Sequence, residues 1–337
     1  MIPVNVITGF LGSGKTTLLR DILARPEFAD TAVIVNEFGE VGLDHVLLEE
    51  VEEGVLLLDS GCLCCTIRTD LQETLKSLDE KAARGAIPRF SRVVVETTGL
   101  ADPTPIVSTI AAEPVIRNHF RIGNIVCTVD ALAGLSTLAN QPEASKQVSV
   151  ADRLLITKCD LAAPETIAKL EAALHGLNPV AETRRSEGHD FDATFLFREE
   201  LGDAERRAGE VARWLAKADA LDRHHIADSD TNTFVLRYSD PIDWTAFGVW
   251  LTMLLHCHGE RVLRVKGMLN VRESVSPVVI HGVQHVMHPP MHLERWPDAD
   301  RSSRIIFITR GIEEAAIRAS LTRFLSTLAP QTNDAAA

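Results

Sequence analysis

The 337-residue chain holds no apolar run approaching the ~20 residues of a membrane-spanning helix. Positive charge is also short, since 47 acidic residues against 34 Lys and Arg leave a net charge of −13. That balance argues against nucleic acid or an anionic membrane as the main partner. It leaves room for a local phosphate site, because backbone dipoles bind anions whatever the global charge. No charged and apolar leader precedes the first strand, so a cytoplasmic protein without a signal peptide is expected. Internal repeats are absent. Cysteine is scarce at six residues, and in a reduced compartment this count does not read as a disulfide framework. Half of the cysteines, Cys62, Cys64 and Cys65, nevertheless crowd into four positions. Cys127, Cys159 and Cys257 lie in or beside apolar runs and read as small core residues.

What is present is an ordinary globular composition, 45% apolar and 24% charged, in a chain long enough for two domains. The stretch from Val4 to Thr17, VNVITGFLGSGKTT, runs from a short apolar strand through a glycine-rich turn into a leucine-rich helix. Gly9, Gly14, Lys15 and Thr16 satisfy the phosphate-loop pattern G-x-x-x-x-G-K-[ST], with Gly12, Ser13 and Thr17 inside or beside it. Glycines let successive N–H groups turn inward on a phosphate, and the helix start adds its dipole. Lys15 is placed to reach the β- and γ-phosphates, and the Thr16 hydroxyl to bind Mg²⁺.

Further apolar runs follow at Ala32–Val35, Val55–Leu58, Val93–Val95, Ile125–Val129 and Leu154–Ile156, each separated by helical segments. Leu71, Leu75, Leu78 and Ala82 form one such helical stripe, which Gly85 ends. Continuous apolar strands alternating with helices predict a doubly wound, mainly parallel α/β sheet of the P-loop type over residues 1–218. A polar linker over 219–231 holds His224, His225, Asp228 and Asp230. Strands then come in succession over 232–330, which predicts a smaller α+β domain.

Two strand ends bear on which nucleotide binds. Thr157-Lys158-Cys159-Asp160 resembles the guanine-reading [NT]-K-x-D element. There the Asp160 carboxylate accepts from the guanine N1–H and amino group, and the Lys158 stem stacks on the base. Glu96-Thr97-Thr98-Gly99 resembles D-x-x-G with Glu for Asp. Glu96 is the candidate for the Mg²⁺ shell and the Gly99 N–H for contact with the γ-phosphate. GTP is therefore favoured over ATP. For the cysteines, three thiolates suit a borderline tetrahedral metal such as Zn²⁺. A redox pair of Cys62 with Cys65 and inert packing are the rival readings. His281, His285, His288 and His292 form a second group, read either as an auxiliary metal or partner site or as polar strand and loop residues.

Taken in order, Gly9–Thr17, Asn36-Glu37-Phe38-Gly39, Gly61-Cys62-Leu63-Cys64-Cys65 and Glu96-Thr97-Thr98-Gly99-Leu100 resemble the CobW family of GTP-dependent metal chaperones. These are relatives of the urease and hydrogenase nickel-insertion GTPases. Arg264-Val265-Lys266-Gly267 and His281-Gly282-Val283-Gln284-His285 look like the CobW C-terminal domain. The resemblance implies a GTPase whose nucleotide state controls a thiolate metal site. Cys62, Cys64 and Cys65 would be the ligands and Glu37–Gly42 part of the first switch. A client metalloprotein would receive the metal, and a homo-oligomer is compatible with this reading. Glu37 or Glu40 is the candidate for positioning the attacking water. The cobalamin-pathway members carry a long His-rich insertion, and the sparse His224 and His225 favour zinc over cobalt as cargo. The alternatives are a cobalt chaperone or a P-loop phosphotransferase with structural or redox cysteines.

Overall fold

A computed structural model describes residues 1–35, 55–57, 66–197, 209, 211–216, 230–272 and 274–328. Glu37, Glu40, Cys62, Cys64, Cys65, His224, His225 and Asp228, with the readings placed on them, lie outside the described residues. The chain divides into two compact units, Met1–Glu199 and Glu200–Ala337. The helical residues 211–216 group with the second unit.

In the first unit, β1 (Ile2–Gly9), β2 (Thr31–Val35), β3 (Val55–Leu57), β4 (Arg92–Glu96), β5 (Phe120–Asp130), β6 (Arg153–Thr157) and β7 (Glu182–Arg185) form one sheet. Its order is β3-β2-β4-β1-β5-β6-β7, and every neighbouring pair is parallel. Both faces are covered, which explains the continuous apolar runs. Leu154 and Ile156 join a cluster with Ile167, Leu170 and Leu174. Leu155, between them, packs on the other face with Leu19, Ile22 and Phe195. Successive residues of one strand therefore fill opposite layers. The helix Thr66–Ala83 buries Leu71, Leu75 and Leu78 as the stripe predicted, and Gly85 beyond it has φ 72°.

β7 extends the sheet beyond the last strand expected from the sequence. Its residues, Glu-Thr-Arg-Arg, carry no apolar signal, and an edge strand tolerates such charge. It is tied to β6 by Arg153, which is buried, pairs with Glu182 at 3.2 Å and lies over the Phe195 ring.

The second unit is an antiparallel sheet. β8 (Thr231–Tyr238), β9 (Val262–Leu269), β10 (Val278–Val283), β11 (Val286–Met287) and β13 (Ser303–Arg310) run in the order β11-β10-β9-β13-β8. The two-residue β12 (Met291–His292) also pairs with β10. The helices Trp244–His258 and Glu314–Leu328 contribute Phe247, Trp250, Leu251, Ile317 and Leu321 to a core with Phe234, Val265 and Phe307. Asp243 starts the first of these helices by accepting from the Ala246 N–H at 2.8 Å. This is the smaller α+β arrangement that the succession of strands predicted. Among the described residues no helix is long and apolar enough to cross a membrane.

Candidate active site

The chain leaves β1 at the point where strand order reverses, with β4 on one side and β5 on the other. Open parallel sheets bind ligands in this crevice at the carboxyl ends of their strands. Here the Gly9–Thr16 loop crosses that edge. Gly9, Gly12 and Gly14 have φ of 144°, 73° and 90°, which side-chain-bearing residues rarely adopt. A Cβ on Gly9 would also come within 2.4 Å of Thr128 Oγ1 on β5, so glycine is required there for space as well. Ser13 is buried and shares a 2.7 Å hydrogen bond with Thr128 Oγ1. The Lys15 ammonium is buried and donates to the Gly9 carbonyl at 2.9 Å and the Phe10 carbonyl at 3.2 Å. The lysine thus lies folded along its own loop, at the start of the helix Lys15–Leu23. Thr17, next along that helix, is exposed.

At the end of β4, Glu96 is buried and accepts from the Thr16 hydroxyl at 2.7 Å. Two hard oxygen donors side by side at the loop suit Mg²⁺, which takes one or two protein oxygens and keeps phosphate and water as its other ligands. Thr97 follows, its hydroxyl donating to Thr8 at 3.0 Å and its N–H to the Ile7 carbonyl. Gly99 then passes close to the phosphate loop, where an added Cβ would stand 2.7 Å from the Leu11 nitrogen. Glu96 and Gly99, separated from the loop by some eighty residues of sequence, thus meet it from one side.

β6 brings the guanine-reading candidates to the other side. The Thr157 hydroxyl donates to the Ser13 carbonyl at 2.8 Å. Lys158 has φ 59°, and its ammonium donates to the Gly12 carbonyl at 2.8 Å and to Asp130 at 2.6 Å. Burial opposes ionisation of Asp130, but Lys158 and the Leu132 and Ala133 N–H groups outweigh it and hold its pKa below the usual carboxylate range. Asp160 is exposed beyond Lys158 and accepts from the Gly188 N–H at 3.1 Å. The loop-supporting roles of Thr128 and Asp130 and the turn at Gly188 are findings of the structure. The Asp at the end of the β5 run was the available signal for Asp130, and no signal in the sequence marked Gly188. Of the cysteines, Cys127 and Cys159 are buried, as expected, whereas Cys257 is exposed. Burial pushes the Cys127 thiol up to about 12, with Lys15 opposing it.

The histidines of the second unit are dispersed into different roles. His281 on β10 stacks on His288 with ring centroids 4.4 Å apart. An Arg264 nitrogen lies 2.6 Å from its Nε2. Burial first, then Arg264, His288 and Lys266, hold His281 well below the ordinary histidine pKa, so the ring is neutral and its Nε2 accepts from the guanidinium. His285 is exposed, and His292 lies on β12 with Nδ1 3.4 Å from the Ser276 hydroxyl. Among the described residues no three His, Cys, Asp or Glu side chains gather as a metal site.

The sheet order and the loop at its switch point are those of a P-loop GTPase. The chain belongs to the CobW family: the profile of the CobW/HypB/UreG nucleotide-binding domain matches residues 3–185, and that of the cobalamin synthesis protein CobW C-terminal domain matches residues 231–325. It is similar to the zinc chaperone YjiA of Escherichia coli, 32% identical over 321 residues, 95% of this chain and 97% of that one. The zinc chaperone CobW of Pseudomonas aeruginosa is 34% identical over 211 residues, 53% of this chain and 55% of that one. The crystal structure of the Zn(II)-bound YjiA GTPase from E. coli superposes with a TM-score of 0.73 at 28% identity, covering 96% of this chain and 98% of that one.

Proposed function

We propose that this GTPase is a metallochaperone that takes up Zn²⁺ at Cys62, Cys64 and Cys65 and passes it to a client metalloprotein under nucleotide control. The observation that carries the nucleotide half is the convergence of Thr16, Lys15, Glu96, Gly99 and Lys158 on one glycine loop. In this reading GTP phosphates take over the donors that now satisfy loop carbonyls. Lys15 shifts from the Gly9 and Phe10 oxygens to the β- and γ-phosphates, and the Gly9–Thr17 N–H groups turn to the same anion. Thr16 and Glu96 would hold Mg²⁺, which when bound neutralises charge developing on the transferred phosphoryl group. Asp160 accepts from the guanine edge, and the Lys158 stem supports the base. Glu37 or Glu40 orients water for attack on the γ-phosphate.

The metal half is supported by the three crowded thiols, by family membership and by the zinc-chaperone names of the relatives. The γ-phosphate orders the Glu37–Gly42 loop, gathering the thiolates around Zn²⁺, and hydrolysis releases both. Reciprocity requires that GTP tighten zinc binding by the factor by which zinc tightens GTP. A triple mutant of YjiA with one glutamate and two cysteines replaced by alanine is also described as Zn(II)-bound. Total zinc therefore does not isolate the thiolate site in such a protein. The test is competitive zinc binding by the full chain with Mg²⁺ and either a non-hydrolysable GTP analogue or GDP, in wild type and in a variant with Cys62, Cys64 and Cys65 changed to Ser. Tighter zinc with the GTP analogue in wild type alone supports the reading. Equal zinc affinity in both nucleotide states sinks it. A Co²⁺ arm identifies the cargo, and ATP in place of GTP addresses the phosphotransferase alternative.

A further inference from the structure

Gln147 lies in the helix Pro142–Val150, outside the nucleotide-binding sequence motifs, and is fully enclosed, 1% exposed. Its side-chain nitrogen donates to the Gly99 carbonyl at 3.1 Å and to the Ala101 carbonyl at 3.0 Å. Those two acceptors consume both amide hydrogens and fix which end of the side chain carries the nitrogen. They also straddle a tight turn, since the Ala101 N–H returns to the Thr98 carbonyl at 3.1 Å. The preceding residue continues the clamp, with the Lys146 ammonium 2.6 Å from Asp102. Asp102 in turn accepts from the N–H and hydroxyl of Thr104 at the start of the helix Thr104–Ala112.

On its other side the same turn has no slack. Gly99 is already against the Leu11 main chain, so its peptide is held between the phosphate loop and Gln147. Gln147 also lines a cavity of about 30 Å³ with Ser13, Cys127, Asp130 and Thr137, which leaves room for water behind the loop. Its Oε1 has no hydrogen-bond partner among the described residues. The amide is thus committed through its donors to the turn and through nothing else that is described.

We propose that Gln147 is a positioning residue that, through the Gly99 and Ala101 carbonyls, holds the turn at the height where the Gly99 N–H meets a γ-phosphate, and so sets the preference for guanosine triphosphate over diphosphate. The inference rests on reading Gly99 as the γ-phosphate contact. A diphosphate does not extend to Gly99 in that reading, so its affinity is indifferent to Gln147. The α- and β-phosphates are held by the Gly9–Thr17 loop, whose hydrogen bonds do not involve Gln147.

The experiment measures affinity of the full chain for a non-hydrolysable GTP analogue and for GDP, both with Mg²⁺, in wild type and in Gln147→Glu at pH 8 and pH 6. At pH 8 the carboxylate keeps the shape and loses both donors. The triphosphate analogue should weaken about tenfold, with GDP unchanged within about twofold. At pH 6 the protonated carboxyl regains one O–H donor, burial favouring that form, and part of the preference should return. A purely structural defect would lower and recover both nucleotides together, leaving their ratio unchanged. Equal weakening of both nucleotides, or no weakening of either, overturns the inference. If the Gln147→Glu chain does not fold, Gln147→Met decides by the same ratio. Wild type that binds both nucleotides equally tightly refutes the Gly99 reading itself. A normal wild-type preference that survives in the variants refutes the role of Gln147 alone.

Discussion

The carboxyl edge of the parallel sheet and the β9–β10 face of the antiparallel sheet both bury cations among polar groups, yet they do so differently. At the first, Lys15 and Lys158 donate to main-chain carbonyls of the glycine loop, Lys158 also to the Asp130 carboxylate. The carbonyl contacts can be exchanged for phosphate oxygens, which are stronger, charged acceptors. On the second, Arg264 meets the His281 ring, which stacks on His288, so one side chain answers another. A ligand there would have to separate groups that already satisfy one another. Polar residues in loops at strand ends are arranged for exchange, whereas those on the face of a strand are fixed by their neighbours across the ladder. His281 lies opposite Lys266 in the β9–β10 register, which places both on one face with Arg264.

The contrast breaks most sharply at Lys15. Lys15→Ala should weaken Mg²⁺–GTP binding by about 100-fold or more, because a charge-assisted contact to two phosphates is lost. Its effect on the melting of the second unit should be negligible, and fluorescent-nucleotide titration with calorimetry reads both. Asp160→Asn comes next. Turning an acceptor into a donor opposite the guanine N1–H should cost GTP roughly tenfold to a hundredfold while ATP binding stays where it was. Loss of both nucleotides alike would mean that Asp160 supports the loop and does not read the base.

On the histidine face the expected effect is smaller and depends on pH. His281 is neutral in the fold and its pKa lies below the ordinary value, so the unfolded chain takes up the proton first as pH falls. The contribution of this group is present above pH ~6.5 and is lost below it. The loss is at most about 1.4 kcal/mol per pH unit for one proton. Thermal melting between pH 7.5 and 5.5 should show the decline, and His281→Gln should flatten it. An unchanged slope in that variant would assign the proton elsewhere. The smallest effect concerns thiols away from the cluster. Cys257 is exposed, while burial raises the pKa of Cys127 and Cys159. Brief alkylation followed by peptide mass mapping should therefore label Cys257 ahead of the other two.

Much of the nucleotide edge was legible because its chemistry is local. A glycine loop needs its φ values, its lysine and its hydroxyl within eight consecutive residues, and the strand and helix beside it announce themselves by period. β7 escaped notice because an edge strand with Glu-Thr-Arg-Arg has no apolar face to betray it. Gln147 escaped because a buried amide in a helix looks, in sequence, like any exposed one. The histidine group was visible but ambiguous, since spacing alone does not separate a stack of rings from a set of ligands.

The sequence by itself determined the two-part architecture, the phosphate loop and the strand ends that deliver Glu96, Asp130 and Lys158. Alternating apolar periods and glycine positions are properties of neighbouring residues and survive without a fold. Tertiary structure alone decided that Gly99 lies against Leu11, that Gln147 grips it from behind, and that Arg264 faces His281. Each of these joins segments distant in the chain at van der Waals or hydrogen-bond range. Such distances are set by how layers pack and by strand register, quantities that no local pattern encodes.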